Sequence, residues 1–160
     1  MVIFGLFAFL AFICFVLAGI SDFKLRKVSD WISSALWLLL FLAGSIYPNM
    51  FYTAVGVFAL SFFANTIYMY HQKKILMGWA DILVQPVYVS FLMQLLNPLH
   101  AMIVFFFSMM LPYIQAWIKL AVVEHKKLTW HILTTTKTDD VPLVMYMAIG
   151  YSVAFFGYVL

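Results

Sequence analysis

The chain has 160 residues, of which 66% are hydrophobic and 9% charged, with a formal net charge of +3. A water-soluble domain is close to half apolar and a quarter charged, so this composition excludes one and points to an integral membrane protein. A spanning helix takes about 20 residues, so at most about six or seven fit and almost nothing is left for a soluble domain. The small positive balance is confined to loops. It implies no nucleic-acid partner and reads instead as a topological signal.

The first apolar run covers residues 2–20 and stops at Ser21 and Asp22. No basic segment precedes it and no small-residue cleavage site follows, so it is expected as a retained helix rather than a removed signal peptide. The single cysteine, Cys14, lies mid-run and is expected to be a small buried packing residue. The polar segment 22–30 carries Lys24, Arg26 and Lys27, and Ser29 or Asp30 can cap a second helix over 31–47. Pro48 and Asn49 mark an uncharged turn before a third helix over 51–70, which His71, Gln72, Lys73 and Lys74 close. A short fourth helix over 81–96 contains Pro86. Asn97 and Pro98 form another uncharged turn. The fifth helix spans 99–123, with Pro112 as an expected kink. After a polar stretch from Glu124 to Asp140, Pro142 opens a sixth helix over 142–160, with Asp139 or Asp140 as cap. The expectation is an all-α polytopic membrane protein, one domain over residues 1–160 with six transmembrane helices.

All nine Lys and Arg residues (24, 26, 27, 73, 74, 119, 126, 127, 137) follow helices one, three and five. The turns near Pro48 and Pro98 carry none. By the positive-inside tendency the charged loops face the cytoplasm and both termini lie outside. The chain shows no internal repeat and no low-complexity tract.

Two carboxylates stand out because acidic groups at a membrane boundary are costly to keep. Asp22 ends the first helix and Asp81 begins the fourth, and with six helices both positions belong to the cytoplasmic boundary. Two carboxylates that approach closely do not both ionise easily, so one proton is shared between them. Such a pair is the machinery of an aspartic peptidase: one carboxylate activates water while its protonated partner polarises the scissile carbonyl. The plain alternative is that each aspartate ends or caps a helix. Asp81 fits a cap well, whereas Asp22 sits at a helix C-terminus, where the dipole disfavours negative charge. Position alone leaves both readings open.

The surrounding residues carry a resemblance. Asp22-Phe-Lys-Leu-Arg-Lys-Val-Ser-Asp-Trp-Ile-Ser33 resembles the first aspartate motif of prepilin-type leader peptidases. Met77-Gly-Trp-Ala-Asp81 resembles their second motif, Gly-x-Gly-Asp. Asp140-Val-Pro-Leu-Val-Met-Tyr-Met-Ala-Ile-Gly150 looks like their closing segment, an apolar-Pro-apolar start followed by a glycine-containing helix. The three fall in the family's order on helices one, four and six, and are most similar to the compact archaeal preflagellin and prepilin peptidases or the minimal bacterial pilus versions. Ala80 replaces the second glycine, Ser29 stands where proline is common, and no lysine follows Asp81. The resemblance implies a metal-free endopeptidase without cofactors. It would remove a short basic leader from pilin- or archaeal-flagellin-like precursors at the cytoplasmic face of the cell membrane. Asp22 and Asp81 would be catalytic, and Gly78 and Ala80 would let the backbone bring Asp81 close to Asp22 and the substrate. The segment from Lys24 to Lys27 would set topology and meet lipid head groups.

Rival chemistries lack their residues. A zinc protease needs His-Glu-x-x-His, but Glu124-His125 is reversed, and His125 and His131 are six apart in a polar loop. No Gly-x-Ser context with a partner histidine supports a rhomboid-like mechanism, and His100 reads as a helix-start residue. A presenilin-like site would put a tyrosine before its first aspartate, where this chain has Ser21. Asp30, Asp139 and Asp140 are expected to cap helices or face water, and Gln85 and Asn65 to join interhelical hydrogen bonds. Two other classes stay open: a catalytically inactive relative or assembly factor, and a small ion-coupled transporter. A transporter would place its carboxylates nearer the midplane.

Overall fold

The computed structural model describes residues 2–25, 27–72, 78–118 and 143–159, and every regular element among them is an α-helix. The helices are α1 (Val2–Leu25), α2 (Asp30–Ile46), α3 (Pro48–Gln72), α4 (Trp79–Leu95), α5 (Pro98–Ile118) and α6 (Leu143–Val159). Three of them, α1, α3 and α5, are long and apolar enough to cross a membrane, while α2 and α6 are shorter apolar helices. The large aliphatic and aromatic side chains left exposed on α1, α3 and α5, such as Leu6, Leu60 and Phe106, are what a lipid-facing surface requires.

Several boundaries differ from the pattern in the sequence. Helix α1 runs past Asp22 to Leu25, so Asp22 lies in its last turns rather than at its end. Pro48 is the first residue of α3 rather than part of a turn. It needs no N–H at that position and its fixed φ suits a helix start, so Tyr47 alone separates α2 from α3. Ser29 holds the N-cap position of α2 with extended backbone, but its side chain makes no cap hydrogen bond. Pro98 likewise is the first residue of α5 rather than part of a turn, and the His100 N–H donates to Asn97 Oδ1 at 3.0 Å, capping that start. The expected extension of α5 to residue 123, the caps Asp139 and Asp140, Pro142, and the cations other than Lys24 and Lys27 lie outside the described residues.

Helix α4 sits at the centre, packed against α2, α3, α5 and α6, and is buried almost all round from Val84 to Leu92. Helix α1 packs on α6 and α2. Its buried face is the stripe Phe4, Ala8, Ala11, Phe15, Ala18, Gly19 and Asp22, spaced three and four residues apart. Small residues in that stripe let backbones approach, which in a membrane supplies the association that the hydrophobic effect does not. The core between α1, α4 and α6 is aromatic: Phe15 lies 4.6 Å from Tyr151 and 5.8 Å from Tyr88, ring centre to ring centre. Cys14 is half-buried against this core rather than fully inside it.

Interhelical hydrogen bonds complete the packing. Ser61 donates to Gln85 Oε1 at 2.9 Å between α3 and α4, the role expected of Gln85. Trp37 Nε1 donates to the Leu83 carbonyl at 3.0 Å, tying α2 to α4. Ser108 Oγ donates to the Val104 carbonyl, so the Tyr88 hydroxyl, 2.7 Å away, donates to Ser108. The Tyr151 hydroxyl donates to the Ala8 carbonyl at 3.2 Å.

Candidate active site

Helices α1 and α6 run antiparallel, since Gly19 meets Met145 and Ala148 while Phe4 meets Tyr158. Helices α5 and α6 do likewise, with Tyr146 donating to Gln115 near one end and Gly150 against Val104 further along. Only Leu96 and Asn97 separate α4 from α5. The start of α4 therefore lies at the same end of the bundle as the last turns of α1 and α5 and the first turn of α6. Asp22 and Asp81 share that end, together with Lys24 and Lys27.

Their facing follows from spacing. Phe15 of α1 touches Tyr88 of α4 edge to face. Asp22 lies seven residues after Phe15 and Asp81 seven residues before Tyr88. Seven residues are about two turns, or roughly 10 Å, and return the chain to nearly the same helix face. Each aspartate therefore lies close to the helix face that carries the Phe15–Tyr88 contact, two turns nearer the charged end.

Each carboxylate also holds a helix N-terminus. Asp22 is buried, 9% exposed, and its Oδ2 accepts the Met145 N–H from the first turn of α6 at 3.3 Å. That N–H is one of the donors a helix leaves without an internal partner, and the positive end of α6 attracts the carboxylate. The dipole of α1 disfavours a negative charge at this position, and α6 supplies the opposing field. At 3.3 Å the bond is longer than the usual range of about 2.7–3.2 Å.

Asp81 is half-buried at the third position of α4, and its Oδ2 accepts the Gly78 N–H at 3.1 Å. This is the half of a capping box that a glycine N-cap permits. Gly78 has φ −65° and ψ 158°, an extended conformation open to any residue. Its backbone freedom, expected from the motif, is thus not exercised here. What its missing side chain provides is space, because a Cβ would lie 3.3 Å from Asp81 Oδ2. Ala80 is half-buried and packs against the core.

Around Asp81 lie residues that sequence reasoning did not assign to a site. Tyr113 of α5 is close enough to feel the charge of Asp81 and is electrostatically coupled to Tyr68 of α3. Ser61 bonds Gln85, so Asn65, one turn further along α3, comes level with Asp81, one turn earlier on α4. Asn65, Tyr68 and Tyr113 are all half-buried. The signal available in the sequence was the position of these polar residues near the ends of odd-numbered apolar runs, toward the cationic side. The chain reversal after α1 is closed by Ser21 Oγ, which donates to the Lys27 carbonyl at 2.7 Å. Asp30 is the first residue of α2 and exposed.

The arrangement offers two carboxylates at one end of the bundle, one buried and one half-buried, each accepting a backbone N–H, with Tyr113 within electrostatic range of the second. Among the described residues no three His, Cys, Asp or Glu side chains gather as a metal site. Glu124, His125 and His131 lie outside the described residues. No protein-family model, no curated protein and no solved structure matches the chain.

Proposed function

We propose that the chain is a membrane-embedded aspartic endopeptidase of the prepilin-leader type, with Asp22 and Asp81 as its catalytic pair. The observation that carries the reading is the common placement of the two carboxylates: same bundle end, and close to the faces through which α1 and α4 touch at Phe15 and Tyr88. In this reading one carboxylate takes a proton from water as the water oxygen attacks the scissile carbonyl carbon. The protonated partner gives its proton to the carbonyl oxygen, and collapse of the tetrahedral intermediate breaks the C–N bond and protonates the leaving amine. The pair titrates as a unit, so neither aspartate is assigned the acid or base role alone. The backbone N–H groups of Met145 and Gly78 each donate to one carboxylate oxygen and so help to orient it.

All six helices cross the membrane in this reading, with both termini outside and the paired aspartates at the cytoplasmic face. Lys24 and Lys27 at that end support the orientation. The substrate is a pilin- or flagellin-like precursor whose short basic leader precedes a hydrophobic helix, and the cut falls where leader meets membrane. The test is to co-express the chain with such a precursor and follow its shortening. Wild type converts the precursor to the mature form, with or without a metal chelator, and Asp22→Asn and Asp81→Asn leave it uncut while still inserting. Processing that persists in either variant, or that a chelator stops, refutes the assignment.

A further inference from the structure

We propose that Gly19 is a positioning residue, setting Asp22 through α6; the inference rests on the peptidase reading above. Gly19 lies three residues before Asp22, on the same buried stripe of α1. A Cβ built on it would stand 2.8 Å from Ala148 Cβ and 3.2 Å from Met145 Cα. The second of these is backbone, so no side-chain rotation can make room. The residue whose Cα closes over Gly19 is the same Met145 whose N–H donates to Asp22 Oδ2 at 3.3 Å. One close approach therefore fixes two things: the separation of α1 and α6, and the reach of that N–H to the carboxylate.

The margin is small. A side chain at position 19 must push α6 away by a few tenths of an ångström or more to bring Met145 Cα to ordinary contact. A hydrogen bond already at 3.3 Å lengthens with that movement toward the distance at which it ceases to orient its acceptor. Asp22 would then keep its place in the chain and lose the hold that α6 has on its direction. Binding of a precursor would be little affected, while the transition state, which depends on carboxylate geometry, would suffer; a misplacement of about 1 Å costs roughly 100-fold in rate, and one of a few tenths of an ångström about 10-fold.

The experiment compares wild type, Gly19→Ala, the double variant Gly19→Ala/Ala148→Gly, and Ile20→Ala at the neighbouring exposed position, in membranes with a leader-bearing precursor. Gly19→Ala is expected to lower kcat by about 10- to 100-fold with KM unchanged. Ile20→Ala should match wild type. Removing the Ala148 Cβ relieves the 2.8 Å contact but not that with Met145, so the double variant should recover part of the loss. Unchanged kcat in Gly19→Ala, or a raised KM with normal kcat, overturns the inference. A thermal-unfolding cycle of Gly19→Ala with Asp22→Ala reads the coupling without cleavage. Non-additive midpoints are expected, and additive ones overturn the inference. Should wild type cut nothing, the peptidase reading fails and the unfolding cycle still decides whether Gly19 acts through Asp22.

Discussion

Gly150→Ala tests the packing of α6 against α4 and α5 at a single atom. A Cβ at position 150 would stand 2.2 Å from Ser108 Oγ and 2.4 Å from the Tyr88 hydroxyl, whereas ordinary contact begins near 3.4 Å. Something must give by about 1 Å, in a region packed at close to crystal density. The Tyr88 ring cannot retreat far, being fully buried between Phe15, Phe105 and Tyr151. Ser108 can rotate only by abandoning its bond to the Val104 carbonyl and its acceptance from Tyr88. Overpacking of this kind costs about 1–3 kcal/mol. Opening an interhelical hydrogen bond in a membrane adds roughly 0.6 kcal/mol, with extremes near 1.7. The expected loss is thus ~2–4 kcal/mol, a large part of a stability of about 5–15 kcal/mol. The assay is denaturant unfolding of the detergent-solubilised protein, followed by far-ultraviolet circular dichroism. The triple variant Tyr88→Phe/Ser108→Ala/Gly150→Ala removes both oxygens and should regain most of the loss. An unimpaired Gly150→Ala, or a triple variant no better than the single one, would refute the close approach.

Three further outcomes follow from the same contacts. Ser61→Ala removes the donor to buried Gln85 and should destabilise the fold by about 0.6–1.7 kcal/mol, measured in the same unfolding assay. Gln85→Leu in that background should recover part of the cost, because no polar group is then left unpaired. Asp30→Asn removes an exposed charge from the first turn of α2, should cost about 0.3–1 kcal/mol, and should leave precursor cleavage at the wild-type rate; loss of cleavage would move the catalytic assignment from Asp22 to Asp30.

The helices were legible because turn chemistry survives in a membrane. Ser29 does stand at the N-cap position of α2, Gly78 does precede α4, and Gln85 does bond across helices. Helix ends were less legible. Asp22 looked like a stop signal, yet α1 continues through it because α6 brings a backbone donor and a favourable dipole to that carboxylate. Pro48 looked like a turn because proline breaks helices, but at a first position it begins one. Faces were least legible, since lipid and core both accept apolar residues and hydrophobic periodicity fades. The size pattern carries the information instead. Ala8, Ala11, Ala18 and Gly19 mark the buried stripe of α1 and run directly to Asp22. Tyr113 could not be tied to Asp81 from sequence, because only the packing of α4 against α5 brings the two within electrostatic range.

The central claim, that Asp22 and Asp81 work as one catalytic unit, is tested most directly by precursor cleavage with purified wild type, Asp22→Asn, Asp81→Asn and the double variant. Groups that act as a unit are strongly non-additive, so all three variants should fall to the same residual rate. A variant that cuts like wild type, or two single losses that multiply in the double variant, would contradict the account.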